Sequence, residues 1–557
     1  MTRGDRLDSY HFYEQEWDSY GQLREAFEWE IPDRFNIATY ICDRWADDDR
    51  VALYAEDAAG NRETFTFSQL RAVTNRLANY LDSEGIGAGD TVGVNVPQRP
   101  ETLIAYIACW KLGAVPVPLS TLFGPDALRY RLDDADAVAT LVDESNLANM
   151  REARAELPAL GPVLTVGDVV PGEDERDLWS AIKQADDASE AVETAPDDDA
   201  LLIYTSGTTG DPKGVRHSHQ VALGHLPLFV TAFANMEMRD DDVLWTPAEW
   251  AWMAMFNIVI CGLFYGKPVV AYDGGQFDPE KAFEIIDWYD VSIFFAPATA
   301  LRLMGRVDNP GRFDVDSVRT VPSGGESLEQ GLVEWASETF DGAAVHEGFG
   351  QTEANMLIGD CTALAEFQEG YMGLPAPGHE VTIVNPDSAE PTVETGEIGE
   401  IAVRYSGDPV CFEEYWQKPE KTASKVENGW LLTEDLGWVD DSGHVAFKSR
   451  KDDVIISAGY RIGPDEVEES VAGHDAVIDV GVIGVPNDER GEVPKAFVVL
   501  AESREGTDAL REDIKQHVRD RLAKYEYPRE ISFVEELPRT VTGKVRRESL
   551  REREVLE

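Results

Sequence analysis

Positive charge is what this sequence has least of. Lysines and arginines number 49 against 105 aspartates and glutamates, a formal net charge of -56 over 557 residues. Such an excess repels nucleic acid and anionic membrane surfaces, so neither is expected as a partner. The acids form short clusters, among them Asp47-Asp48-Asp49, Asp197-Asp198-Asp199 and Asp240-Asp241-Asp242, rather than one tail. With 43% hydrophobic residues the chain has the apolar content that disordered acidic segments lack. The expectation is a halophilic protein, adapted to a salty cytosol where screening acts over roughly 3 Å at 1 M salt. Cysteine is also scarce. The five, at positions 42, 109, 261, 361 and 411, include no Cys-x-x-Cys pair. That argues against a disulfide framework and against a cysteine zinc site. Cys109 and Cys261 lie in apolar runs and read as core packing. Trp250 to Gly266 is uncharged, but it is shorter than the ~20 residues a membrane span needs and contains Asn257 and Gly262. It reads as a buried helix or a pocket wall. Met1 to Trp17 is polar and acidic without a signal-peptide pattern, so the cytoplasm is the expected compartment.

The chain is too long for one compact domain. Thr91–Val96 reads as a strand, Pro100–Leu112 as a helix and Val115–Val117 as the next strand, a β-α-β unit. Val138–Val142, Val163–Val166, Pro268–Tyr272 and Val291–Phe295 continue the alternation, which implies layered α/β with mostly parallel sheet. Residues 168–199 are acidic and weakly patterned, a surface excursion. Val381–Val384 and Glu397–Val403 read as antiparallel strands of a small β subdomain. The charged joint Arg450-Lys451-Asp452-Asp453 precedes a fresh alternation: strands Val480–Val485, Ala496–Leu500 and Ile531–Val534, and a helix over Thr507–Ala523. The expected fold is α/β: a large N-terminal domain, residues 1–450, hinged to a small α+β C-terminal domain, residues 451–557.

The stretch richest in chemistry is Tyr204-Thr205-Ser206-Gly207-Thr208-Thr209-Gly210-Asp211-Pro212-Lys213-Gly214, after the strand Ala200–Tyr204. Its glycines let successive backbone N–H groups turn toward one centre, its hydroxyls add donors, and Lys213 adds a mobile positive charge. Together they form a polyphosphate cradle without Walker A spacing. His217-Ser218-His219 could pair on a metal, but with no third ligand nearby structural histidines are the better reading.

This loop resembles the phosphate loop of the AMP-forming acyl-adenylate superfamily, and further motifs follow in that family's order from about residue 60 to about 550. Ser323-Gly324-Gly325-Glu326, after the apolar stretch Val318–Val321, resembles the loop that receives adenine. Gly348-Phe349-Gly350-Gln351-Thr352-Glu353, after a strand Ala343–His346, is similar to the segment that places Phe349 on the adenine face, Thr352 on the α-phosphate and Glu353 on Mg²⁺. Without that context Glu353 would be a solvated acid at a helix start. Thr433-Glu434-Asp435-Leu436-Gly437, before a hairpin Trp438–Phe447, matches the motif whose acid takes both ribose hydroxyls, here Asp435, with Arg450 as a second ribose or phosphate contact. By the same resemblance Asp452 is the hinge residue, Arg461 a phosphate contact, and Gly459 a residue of the pantetheine path or else a turn glycine. Arg519 is a contact to the CoA phosphate or a solvated arginine. Lys544, in Leu537-Pro538-Arg539-Thr540-Val541-Thr542-Gly543-Lys544, is the adenylation lysine.

The resemblance implies an AMP-forming acyl-CoA synthetase that joins a carboxylic acid to CoA at the expense of ATP, with Mg²⁺, through an acyl-adenylate. Glu413 to Thr422 looks like a stretch of the medium-chain synthetases, with Glu414 where they carry glycine, and Thr246 to Trp252 resembles their acyl-pocket motif and that of acetyl-CoA synthetases. Acetyl-CoA synthetases carry a tryptophan where this chain has Gly350. The missing indole is expected to leave room for several methylenes, with Trp250 and the residues after it as the wall, and so to favour medium-chain acids. Short-chain and aryl acids, a stand-alone ligase loading a carrier protein, and a non-catalytic nucleotide-binding protein are the alternatives.

Overall fold

The computed structural model describes residues 6–47, 49–205, 212–326, 328–392, 394–451, 453–457, 460–487, 490–501, 504–519, 521–522, 527–540 and 544–556. They divide into two compact units, the first comprising residues 1–380 and 404–429, the second residues 381–403 and 430–557.

Among the described residues, the first unit is built on three sheets. The largest runs in the order Leu374–Pro375, Ala354–Gly359, Ala344–Gln351, Thr320–Gly324, Ile293–Phe294, Leu244–Trp245, Val269–Asp273, Val51–Asp57, Arg62–Thr66. Its middle is parallel and both ends turn antiparallel. A second sheet is wholly parallel: Val115–Pro118, Thr91–Asn95, Ala139–Asp143, Val163–Val166, Glu175–Asp177. The third, Glu414–Tyr415, Lys213–Ser218 and Asp199–Thr205, is antiparallel. Parallel strands need crossovers, and the helices that supply them bury apolar faces on the sheets. Pro100–Leu112 starts with proline at its first turn and stops at Gly113, whose φ of 71° continues no helix. The Phe283, Phe294 and Phe340 side chains pack with Trp245 and Val321 in one fully buried cluster, each such ring contributing about 1.5–3 kcal/mol by leaving water.

The second unit opens with a sheet of Val381–Val384, Gly399–Arg404 and Trp430–Val439, the last paired antiparallel with Val445–Arg450. After it comes a sheet in the order Tyr460–Ile462, Ile455–Ser457, Gly491–Leu500, Val477–Asn487, with Glu530–Phe533 parallel to Gly491–Leu500. Helices Pro464–Ala472 and Asp508–Arg519 bring Val467, Val471, Ile514 and Val518 onto Val482 and Val498.

Four expectations change. The strand expected at Ala343–His346 runs on to Gln351, because Gly348 and Gly350, which read as loop, are accommodated by a bulge between Phe349 and Gln351. The Thr433–Gly437 motif lies inside a strand arm rather than before the hairpin, since Trp430–Val439 buries nearly all of its residues. The helix expected over Thr507–Ala523 spans Asp508–Arg519. The excursion at 168–199 holds a strand, Glu175–Asp177, and a helix, Leu178–Ile182, that Asp177 caps. Among the described residues no helix is long and apolar enough to cross a membrane.

Candidate active site

The phosphate loop begins and ends on one hairpin. Strands Asp199–Thr205 and Lys213–Ser218 pair antiparallel with Thr205 opposite Lys213. Ser206, Gly207, Thr208, Thr209 and Gly210 lie outside the described residues. The first strand is buried throughout except at its two ends, so the hairpin is rooted in the core and its Thr205–Lys213 end faces outward. Lys213 Nζ stands 4.4 Å from the centroid of the Tyr415 ring, within the range of a cation–π contact.

Glu353 does not start a helix. It sits in the turn that joins Ala344–Gln351 to Ala354–Gly359 and is only 8% exposed. Tyr415 donates its hydroxyl hydrogen to Glu353 Oε1 at 2.6 Å, and Phe412 N–H donates to the Glu353 carbonyl at 2.7 Å. His217 Nε2–H donates to the Thr352 carbonyl at 2.7 Å. Burial pushes the His217 imidazole down to about 4, so it is a neutral donor. His219 accepts from Ile37 N–H at 3.2 Å. Each histidine thus makes a hydrogen bond to backbone, and His217 ties the phosphate hairpin to the Thr352–Glu353 turn. Tyr415 and Phe412 went unread as site residues. The only sequence signal for them was the family likeness of the stretch around Tyr415.

Close approach of backbones explains the glycines of the adenine-loop motifs. Strands Thr320–Gly324 and Ala344–Gln351 run parallel, and a Cβ on Gly324 would stand 2.8 Å from the Gly348 carbonyl oxygen. Gly325 follows with φ of 88°, a left-handed turn that suits glycine. Glu326 accepts from Thr299 Oγ1 and Arg302, each at 3.3 Å. Phe349 is half-buried on the edge of this pair.

Gly350 corrects the room argument. A Cβ there would meet Met356 N at 2.6 Å and Asn355 Cα at 2.9 Å. The position points at the neighbouring strand, so the missing indole leaves no space there for methylenes. Met356 itself has φ of 61°, a strained conformation costing roughly 1–3 kcal/mol. Trp250 is completely buried, with its carbonyl accepting from Tyr106 Oη at 3.4 Å. It is core rather than pocket surface. In Trp250–Ile260 the side chains with partial exposure are Trp252 and Asn257. Trp252 meets Phe123 edge to face at 6.2 Å and donates to Glu249 at 3.3 Å. Burial pushes the Glu249 carboxyl up, against the pull of the Ser120, Thr121 and Trp252 donors. Asn257, on the wide helical turn Met255–Ile260, accepts from Asn355 Nδ2 at 2.8 Å.

In the second unit Asp435 and Arg450 are register partners, with Arg450 NH1 3.8 Å from Asp435 Oδ1 and NH2 3.2 Å from Glu434 Oε2. Asp435 is buried. Glu434 just before it has φ of 64°, so a strained residue aims the acid. Asp452 and Gly459 lie outside the described residues, and the backbone of Arg461 pairs with Ile456. Lys544 is exposed, with Thr540 N–H donating to the Lys544 carbonyl at 2.7 Å and Lys544 N–H to Thr540 Oγ1 at 3.0 Å. Three residues on, Arg547 opens the helix Arg547–Leu556 and binds Asp453 at 3.0 Å and Glu468 at 2.7 Å. The Arg519 guanidinium lies 4.0 Å over the Tyr527 ring.

Within the first unit, a lysine-bearing hairpin, a buried carboxylate beside it and a glycine-lined strand pair suit the binding of a nucleotide. Residues 42–416 match the AMP-binding enzyme family and residues 466–544 the AMP-binding enzyme C-terminal domain. The chain is 34% identical to the uncharacterized acyl-CoA ligase YtcI of Bacillus subtilis (strain 168) over 94% of this chain and 97% of that one. It is 32% identical to the acetyl-coenzyme A synthetase of the same organism over 93% and 90%. The fold matches the anthranilate CoA ligase AuaEII, solved in complex with anthranoyl-AMP, with a TM-score of 0.86 and 28% identity over 94% and 98% of the two chains. The chain belongs to the AMP-binding enzyme family. It is an AMP-forming acyl-CoA ligase, an acid–thiol ligase that joins a carboxylic acid to CoA at the expense of ATP through an acyl-adenylate.

Proposed function

We propose that the acid is a medium-chain fatty acid and that the residues named above divide the reaction between them. The observation that carries the assignment of roles is the chain Lys213–Tyr415–Glu353, in which one buried tyrosine touches both the ammonium of the phosphate hairpin and the buried Glu353 carboxylate. Thr205, the loop after it and Lys213 hold the leaving phosphates. Thr352 contacts the α-phosphate, Phe349 and the Gly324–Glu326 turn hold adenine, and Asp435, with two acceptor oxygens, takes the ribose diol beside Arg450. Lys544 steadies the attacking carboxylate against the α-phosphate, holding two anions together. Residues 451–557 then turn about Asp452 as a mobile C-terminal domain, so that the thiol of CoA replaces AMP on the acyl carbon.

Glu353 also fits Mg²⁺. Its Oε2 has no protein partner among the described residues, while Oε1 is taken by Tyr415. Among the described residues no group of three or more His, Cys, Asp or Glu could hold a metal alone. A cation on Glu353 would thus complete its shell with phosphate and water oxygens, as Mg²⁺ does. When bound it neutralises charge on the phosphate oxygens.

The chain-length reading rests on the apolar stretch Trp252 to Phe256 and on the likeness of Glu413 to Thr422 to the medium-chain synthetases. Each buried methylene adds about 0.8 kcal/mol. The test is pyrophosphate and AMP release across straight-chain acids from acetate to decanoate, with and without CoA. The expected result is CoA-dependent turnover with a kcat/KM optimum beyond propionate. An optimum at acetate removes the medium-chain reading. Pyrophosphate release with no thioester formed points instead to a ligase that loads a carrier protein.

A further inference from the structure

We infer that Tyr415 is a positioning residue that sets the metal preference of this site, by tying one oxygen of Glu353 so that only the other is offered to the cation. The inference rests on the proposed role of Glu353. Tyr415 itself is unassigned by that reading.

The geometry starts from the backbone. Tyr415 lies on the strand Glu414–Tyr415, opposite Val215 on the Lys213–Ser218 strand. Its N–H donates to Thr422 Oγ1 at 2.9 Å, and Thr422 in turn donates to the Lys418 carbonyl at 3.2 Å. The neighbours Glu413 and Trp416 donate backbone N–H groups to Arg216 and Gly214 at 2.8 and 2.7 Å. Phe412 packs edge to face on the ring at 4.9 Å. The side chain is 1% exposed, so the hydroxyl is held in place by backbone, ring and helix contacts before any ligand arrives.

Out of that frame the hydroxyl reaches Glu353 Oε1 at 2.6 Å, the length of a strong O–H···O⁻ bond. The same segment grips the Glu353 backbone through Phe412 N–H and the bridge of Cys411 to Ala354. A carboxylate held this way turns one oxygen outward. Mg²⁺ at about 2.0–2.1 Å demands near-octahedral order and takes carboxylates one oxygen at a time, whereas Ca²⁺ accepts six to eight ligands and often takes both oxygens of one carboxylate. Tying Oε1 therefore disfavours the two-oxygen mode and favours the smaller ion. The Lys213 ammonium on the ring face lies on the same tyrosine, so the element that carries the phosphate loop shares this frame.

Tyr415→Phe removes the hydroxyl and keeps the ring, the packing and the Lys213 contact. Mn²⁺ binding followed by electron paramagnetic resonance in the presence of ATP, with Mg²⁺ and Ca²⁺ as competitors, reads the cation directly. The expected result is a roughly five- to thirty-fold weaker hold on Mg²⁺, as for the loss of about 1–2 kcal/mol, and a ratio of Mg²⁺ to Ca²⁺ affinity at least several-fold lower than in wild type. The thermal midpoint without nucleotide should move little. Unchanged Mg²⁺ affinity and an unchanged ratio in a folded variant would overturn the inference. If wild type releases pyrophosphate normally in that case, the ligase reading stands and only the role of Tyr415 falls. Should the variant not fold, 3-fluorotyrosine in place of Tyr415 in the intact enzyme supplies a second test. Its fluorine resonance should shift when Mg·ATP is added to enzyme already holding acid, and an unmoved resonance overturns the inference.

Discussion

Lys544 differs from the other proposed site residues in how it is held. Glu353 is buried and fixed by a tyrosine and by backbone bonds, while Lys544 is exposed, with its backbone paired to Thr540. An exposed lysine can be presented to a substrate without first leaving a packed core, which suits the adenylation role proposed for it. Lys544→Ala is expected to slow adenylation by on the order of 10²–10³, the usual effect of losing one oriented electrostatic contact. Thioester formation from preformed acyl-adenylate and CoA should persist. Measuring the two half-reactions separately checks this, and an equal fall in both would sink the one-step role. At Gly324 and Gly350 the residue identity is a matter of space: strand backbones approach so closely that a Cβ at either would lie within 2.8 Å of another backbone atom.

Elements explain what the sequence could reveal. Pro100–Leu112 was legible to the residue because proline opens it and a left-handed glycine closes it, and Val163–Val166 because an apolar β-branched run is bounded on both sides. Ala344–Gln351 was cut short because glycines inside a strand look like loop, and only the partner strand shows the bulge. Tyr415 was illegible as a partner of Glu353 since they lie 62 positions apart and meet only through sheet pairing. The ionic cluster behind Lys544 is of the same kind. Arg547 binds Asp453, Asp465 and Glu468, and Arg551 binds Asp453 at 2.7 Å. It thereby joins the helix Arg547–Leu556 to Asp453 and to the helix Pro464–Ala472. Two guanidiniums face three carboxylates there, and Glu468 also accepts from Val482 N–H at 2.6 Å. Burial, with Asp465 nearby, pushes Glu468 up from 4.5 to about 7 despite Arg547. Burial would likewise raise Asp453, but Arg547 and Arg551 outweigh it and hold that carboxyl below 3.8. The signs are opposite. The folded state keeps the Glu468 proton that the unfolded chain releases near 4.5, so that contribution to stability is full below 4.5 and is lost as pH rises to about 7. The Asp453 contribution is present above 3.8 and is lost only in stronger acid. The thermal midpoint of Glu468→Gln should therefore vary less than that of wild type between pH 4.5 and 7. Parallel curves across that window would remove Glu468 as the source.

At the scale of the whole molecule the excess of acid over base must be carried largely by the surface, because buried charges need partners. The clusters show both outcomes. Asp240 and Asp241 are exposed, while Asp242 beside them is buried against Ser292 and Arg319. Asp197 and Asp198 are exposed, while Asp199 pairs with Arg216. Arginines and lysines are drawn into such pairs, as Arg62 and Lys281 are on Glu56 and Arg99 is on Asp143 and Glu101, so the unpaired remainder is negative and faces solvent. At 0.1 M salt the screening length is about 10 Å, longer than the spacing of adjacent surface acids, and they repel one another in the folded state more than in the expanded chain. At 1 M it falls to about 3 Å and most of that repulsion disappears. The exposed ion pairs weaken with it, but each contributes only about 0–1 kcal/mol, and at a net charge of -56 the repulsive pairs far outnumber them. Stability should therefore rise steeply from low to molar KCl. Thermal midpoints measured across that range without nucleotide, at a fixed pH near neutrality, check it. Sodium sulfate at matched ionic strength separates screening from the general strengthening of apolar burial, which sulfate enhances more than chloride does. A rise that tracks ionic strength in both salts supports charge repulsion as the cause. A midpoint that is flat or falls in KCl means the acidic surface is not what salt acts on, and the halophilic reading fails.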